Sequence, residues 1–401
     1  MAEAGQAFRN LRDKLPEIQN ALKELGLDGW LLFDLHARNA VAAGLIGVGD
    51  LSRRYFVLIP AEGEPVAVTH GIEQGPWAAW PWQKPSYVGW RALDGVLAPL
   101  LNGLRVAMEY SPRGAVPALD LVPGGAVELV RAAGAEVVSS GELITRFYSR
   151  WSEEGLASHR RASAVLADVA SAGFAKLGAA VAAGESVTEG EMQRWVVNEL
   201  AARGCPSEAD CIFATGLNAA NPHYEIGADG GATFKRGDVV MLDLWAKETP
   251  GSIFADQTWM GYLGPEVPAR VAELFATIRD ARDEGVRFIQ ESWRAGHAVA
   301  GGAVDDVVRG VVRERGYADA FIHRTGHSID TATHGMGPNI DNLETNETRL
   351  LVPGIGFSIE PGVYLPGEIG LRTEIDVFMG ADGPEVYPPE PQREVTPLIG
   401  G

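Results

Sequence analysis

The sequence predicts a mixed α+β chain in two domains, a smaller α/β domain over 1–150 and a larger one over 151–401. Three observations carry this. A chain of 401 residues with 46% hydrophobic content is longer than a single core usually serves. Through the first 150 residues, short apolar runs alternate with helical stretches, the texture of a small α/β unit. The texture changes near 145–155, where long Ala-rich helical segments begin, interspersed with strands that carry acids.

The elements follow in order. Phe8, Leu11, Leu15, Ile18, Leu22 and Leu25 recur at steps of three and four, which stripes one face of a helix over 8–26. Asp28 and Gly29 stop it, and Trp30–Phe33 reads as a buried strand. Tyr55–Pro60 and Pro65–Thr69 flank a Glu-Gly-Glu turn, as a hairpin would. Leu104–Met108 and Ala135–Val138 are two more short strands. The segment 75–90 holds four of the ten tryptophans. It reads either as a loop packed on its own domain or as an aromatic flap over a neighbouring site across a dimer. Ser152 opens a helical region over 153–183, which Gly184 ends. Thr188 with Glu191 is a capping box for a helix running to Gly204. Further helices are expected over Pro268–Ala295 and Asp305–Arg315, stopped by Gly296 and Gly316.

A net charge of −19 argues against nucleic acid or an anionic membrane as the main partner, since both need a basic face. The two cysteines, Cys205 and Cys211, exclude a disulfide framework and fit a reducing compartment. The polar N-terminal stretch lacks the apolar segment of a signal peptide. No run of about 18 apolar residues is evident, so no membrane span is expected. A cytoplasmic protein is the expectation.

Three of the eight histidines, His323, His327 and His334, fall in one short window with Gly326, Gly335 and Gly337. Upstream, Asp243 and Asp256 sit in apolar runs; downstream, so do Glu360 and Glu374. Carboxylates rarely occupy buried strands unless paired or bound to metal. Alternation puts Asp243 with Trp245, Asp256 with Thr258, and Arg372 with Glu374 and Asp376 on common faces. Four converging carboxylates repel one another unless cations intervene. Two divalent ions balance the four charges of Asp243, Asp256, Glu360 and Glu374, and mostly oxygen donors with one imidazole favour an ion such as manganese. A faint internal echo links 235–243 and 351–360, each a Gly turn, an apolar strand and an acid; chance similarity is the alternative.

The ordered motifs Thr-Gly-His (325–327), Ile-Glu-Pro-Gly-Val-Tyr (359–364) and Gly-Leu-Arg-Thr-Glu (370–374) resemble the metallopeptidases of the pita-bread fold, peptidase family M24. These are Xaa-Pro dipeptidase (prolidase), aminopeptidase P and methionine aminopeptidase. The last mostly lacks an N-terminal domain and is set aside. The resemblance implies an α+β pita-bread catalytic domain behind a smaller α/β domain. It implies the metal ligands Asp243, Asp256, His327, Glu360 and Glu374, holding two divalent ions per subunit, manganese first and cobalt or zinc as alternatives. It also implies His223, His334 and Glu360 as catalytic residues, His323 and Arg372 as substrate-binding residues, a small Xaa-Pro peptide as substrate, and a homodimer. Hydrolysis of the bond before proline is the expected activity, with dipeptidase favoured over aminopeptidase. Several departures from the family bear on specificity. Asp243 and Asp256 are thirteen apart, two more than the family usually shows, and Pro250 and Gly251 suggest an enlarged hairpin. Trp245, Ile253, Phe254, Trp259, Ser328 and Gly335 replace residues usual in the family. A creatinase-like enzyme without metal, a catalytically inert relative and a binding module are the alternatives; members of those kinds usually lose ligands.

Overall fold

The computed structural model of the chain describes residues 8–207 and 211–400; the first seven residues of the polar N-terminal stretch lie outside it. The chain divides into two compact units, Met1–Tyr148 and Ser149–Gly401.

The first unit runs α1 (Arg9–Glu24), β1 (Gly29–Asp34), α2 (Ala40–Ile46), β2 (Tyr55–Pro60), β3 (Val66–His70), β4 (Ser86–Tyr87), α3 (Trp90–Leu101), β5 (Arg105–Met108), α4 (Gly124–Ala132), β6 (Glu136–Ser139) and α5 (Gly141–Phe147). Its sheet has the order β4-β3-β2-β1-β5-β6. The expected hairpin forms, with Phe56 opposite Val68, while β1, β5 and β6 run parallel. All six residues of β1 are buried, which is why that strand reads as continuously apolar. The Trp-rich segment packs on its own unit. Trp77 and Trp80 are buried, Trp77 stacks on Phe8 at 5.7 Å between ring centroids, and its ring meets Tyr55 edge-on.

The second unit runs α6 (Glu153–Ala182), α7 (Glu189–Ala202), β7 (Ile212–Thr215), β8 (Val239–Ala246), β9 (Ala255–Tyr262), α8 (Ala269–Arg294), α9 (Gly301–Glu314), β10 (Ser328–Ile329), β11 (Gly356–Ile359), β12 (Gly362–Leu365), β13 (Ile369–Arg372), β14 (Ile375–Gly380), β15 (Gly383–Tyr387) and β16 (Thr396–Pro397). Two four-stranded sheets, β16-β9-β8-β7 and β10-β11-β14-β15, are joined by the β12-β13 hairpin. One core packs α6 and α7 on β8 and β9; another packs α8 and α9 on β11 and β14. The two echoed segments become β8 and β11, each an inner strand of its sheet. Caps set the helix starts: Ser152 accepts from Gly155 N, and Thr188 and Glu191 form the reciprocal capping box.

Two expectations need correction. Helix α9 starts at Gly301, four residues before Asp305. Gly301 and Gly302 admit close backbone approach at that start: a Cβ on Gly301 would lie 1.8 Å from the Asn339 carbonyl oxygen. Second, α6 is long and apolar enough, by length and composition, to cross a membrane, with a mean hydropathy of 1.5 in its most apolar window. Its alanines raise that mean, and Leu166, Val169, Phe174, Leu177 and Val181 are buried in the core against α7 and β8. Cys205 and Cys211 are both buried.

Candidate metal centre

Strand pairing brings the first two acids together. In the β8-β9 ladder Asp243 faces Thr258 and Trp245 faces Asp256. Alternation then puts all four side chains on one face. The extra length between the two acids lies in the connection 247–254, where Lys247 Nζ donates to the carbonyl oxygens of Pro250 and Thr331. His327 directly precedes β10, and Glu360 directly follows β11. Gly326 is required there, because a Cβ would lie 1.9 Å from Ser358 O. Ser358 Oγ accepts the His327 N–H at 3.0 Å and donates to Glu360 Oε1 at 3.2 Å, coupling the two side chains. Glu374 occupies the step between β13 and β14, where the chain passes from one sheet to the other.

The resulting cluster is buried: Asp243, Asp256, His327 and Glu374 are each 4–6% exposed. Ligand atoms of Asp256, His327 and Glu374 all lie within 4.8 Å of one another. His327 Nε2 is 3.7 Å from Asp256 Oδ2 and 3.5 Å from Glu360 Oε1. The other ring nitrogen, Nδ1, lies 3.2 Å from Ser328 O, which assigns the proton to Nδ1 and turns the Nε2 lone pair toward the carboxylates. Burial pushes the His327 imidazole pKa well down, and His334 beside it pushes it further. Burial pushes Asp256 and Glu374 well up; Glu374 and Asp243 add to it for Asp256, and Glu360 and Asp243 add to it for Glu374. Asp243 is raised less, because Arg372 opposes its burial, and Glu360 is pushed up to about 7, mainly by burial. Lone pairs and carboxylates thus converge in a space that protons or cations must neutralise. The donor set, four carboxylates and a neutral imidazole, fits a pair of hard divalent ions.

The cluster opens on a cavity of about 570 Å³ whose wall includes all the expected site residues. His223 and His334 are exposed in that wall, and His334 meets the His327 ring edge-on at 4.4 Å. His323 and Arg372 also line it, but their polar atoms have protein partners. His323 Nδ1 bonds to Arg324 O at 2.7 Å, and Nε2 to the Tyr364 hydroxyl at 2.8 Å. Arg372 is buried, ion-paired to Asp243, and donates to Thr258 Oγ1 at 3.0 Å. Thr258 in turn donates its hydroxyl hydrogen bond to Glu374 Oε2 at 2.7 Å.

Several supporting groups escaped the sequence reading of the site. Asp376 has a different task from Glu374: its Oδ2 accepts the Asp256 backbone N–H at 3.0 Å, and His159 Nε2 lies 3.6 Å from it. Both are fully buried, and burial raises Asp376 well above its usual range and lowers His159 to about 4. Arg349 donates to the carbonyls of Met336 and Gly337 and so holds the loop after His334. Asp305 accepts from Thr325 N at 3.0 Å at the other end of the histidine window. Glu189, at the first turn of α7, accepts from Thr215 N, Ala232 N, Asn218 Nδ2 and the Tyr224 hydroxyl. That carboxylate anchors the loop bearing His223. Only its place in the Thr188 capping segment marks it in the sequence. Each buried donor left without an acceptor costs about 1–3 kcal/mol. Glu189→Ala is therefore expected to lower the melting temperature by at least about 4 °C, read by circular dichroism; an unchanged melt refutes the anchoring role.

Fold and site together define a metallopeptidase of the pita-bread class. The model of metallopeptidase family M24 matches residues 157–381, more than half of the chain, and the chain belongs to that family. A Mycobacterium tuberculosis protein named Probable dipeptidase PepE is 28% identical over 335 residues, covering 82% of this chain and 81% of its own. The crystal structure of dipeptidase PepE from Mycobacterium ulcerans matches 98% of this chain and 100% of its own, with a TM-score of 0.73 and 22% identity. Recombinant prolidase from Thermococcus sibiricus matches 96% of this chain and 98% of its own, with a TM-score of 0.63 and 19% identity.

Proposed function

We propose that this chain is a dinuclear metal-dependent Xaa-Pro dipeptidase. The carrying observation is the buried convergence of Asp256, His327 and Glu374, with Asp243 and Glu360 in the same cavity wall. The dipeptidase and prolidase names of similar proteins support the substrate class. Asp243, Asp256, His327, Glu360 and Glu374 would hold the two ions. Ions bound there supply an activated water and a Lewis acid for the peptide carbonyl.

The chain's own groups do the rest. Glu360 is the least enclosed of the acids, with a side chain 12% exposed; it takes the proton from water and delivers it to the leaving imino nitrogen. His334, whose imidazole pKa is lowered by desolvation in the cavity wall, donates with His223 a hydrogen bond to the developing oxyanion. Arg372 orients Asp243 and Thr258, and His323 is held by the Tyr364 hydroxyl. The reading extends to manganese as the working ion, with cobalt or zinc as alternatives, and to a cytoplasmic homodimer acting on small peptides.

The test compares Xaa-Pro dipeptides with Xaa-Pro-Xaa tripeptides on manganese-loaded protein, with metal counted per chain. Two ions and preferential dipeptide cleavage are expected. Preferential tripeptide cleavage would establish the aminopeptidase P reading instead, and absence of bound metal would remove the peptidase mechanism altogether.

A further inference from the structure

A peptidase confined to dipeptides must recognise a free carboxylate next to the bond it cuts, and a guanidinium is the natural partner. Arg372 is unsuited to this, because its guanidinium is buried on Asp243 and Thr258. His323 has both ring nitrogens occupied. The remaining cation in the wall is Arg324. It is only partly buried, and among the described residues no hydrogen bond or ion pair engages its guanidinium. Its backbone is held instead: the N–H donates to Glu344 Oε1 at 2.8 Å and the carbonyl accepts from His323.

We propose that Arg324 forms a carboxylate subsite that takes the free C-terminus of a dipeptide, a deepening that rests on the dipeptidase reading. A cation fixed at its backbone, free at its head and facing an aqueous cavity costs little to pair with an incoming carboxylate. Glu344, in the same wall, narrows the alternatives: it spends an oxygen on the backbone of residue 324 and leaves the guanidinium open. Arg324 therefore selects the substrate's terminus, while the carboxylate cluster performs the chemistry.

Two measurements on manganese-loaded full-length chain test this. The first compares native protein, Arg324→Ala and Arg324→Lys on an Xaa-Pro dipeptide and its C-terminal amide. Arg324→Ala is expected to raise the dipeptide KM about ten- to a hundredfold, the range for losing a hydrogen bond to a charged group. The preference for dipeptide over amide collapses accordingly, and Lys restores part of it. The second titrates L-proline and L-prolinamide by calorimetry: proline binds more tightly to the native chain, and Arg324→Ala removes that advantage. Equal losses on dipeptide and amide, or a proline advantage that is absent from the native chain or survives in Arg324→Ala, overturn the proposal. A native chain that cleaves neither peptide defeats the Xaa-Pro reading, while the titration still decides for or against Arg324. Melting curves of the variants show whether they are folded.

Discussion

Asp256→Asn is expected to remove divalent-ion binding from the centre and to lower kcat/KM by more than the roughly 10–100-fold that changes in supporting groups cost. Asp256 is one of the three groups whose ligand atoms lie within 4.8 Å of one another, and it is flanked by Glu374, Asp243 and Glu360. An amide in its place keeps the volume and loses the anionic oxygen. Metal analysis and thermal melts read the result without an activity assay. An ion at a hundred times its Kd stabilises the native chain by about 2.7 kcal/mol, a rise of several degrees in Tm. Asp256→Asn shows little or no rise; an undiminished one would show that the ions bind elsewhere.

The same cluster sets a pH dependence. In the metal-free chain Glu360 is pushed from 4.5 up to about 7, mainly by burial. Between those values the folded chain binds more protons than the unfolded one, so its stability falls as pH rises through that window. A bound divalent ion reverses the preference, because it requires the ionised carboxylate. Melts from pH 4.5 to 7.5, with and without manganese, are expected to diverge as pH increases.

Arg372→Met is expected to destabilise the metal-free chain by about 3–5 kcal/mol, the usual cost of removing one partner of a buried ion pair. The loss corresponds to a Tm drop of about 10 °C for a unit of this size. Methionine fills much of the arginine volume, so the loss reports charge and hydrogen bonding. Asp243 is left buried without its cation, and Thr258 loses the donor that orients it toward Glu374. Manganese supplies positive charge to the same carboxylates, so the penalty shrinks when the ion is added. A variant that melts like the native chain, with or without metal, would show that the pair is immaterial to stability.

What the sequence by itself determined is what consecutive residues decide. The capping box at Thr188 and the serine cap at residue 152 are satisfied within four residues. Acids embedded in apolar runs at 243, 256, 360 and 374 marked strands that carry charge into a core. Alternation placed Asp243 beside Trp245 and Asp256 beside Thr258, and the ladder keeps those faces.

Tertiary structure alone decided the partners. Arg372 and Glu374 share a parity with Asp376, yet the chain changes sheets between them. The first two meet Thr258, and the third meets the backbone of Asp256. The same long-range packing occupies His323 and Arg372 and leaves Arg324 open, which no local pattern distinguishes. It also sets the start of α9 at Gly301 and Gly302, where another segment's backbone lies in the place that side chains would fill. Local periodicity says which way a side chain points. Only the packing of segments distant in the sequence says what it meets there, and at this site that meeting sets each group's charge and freedom to act.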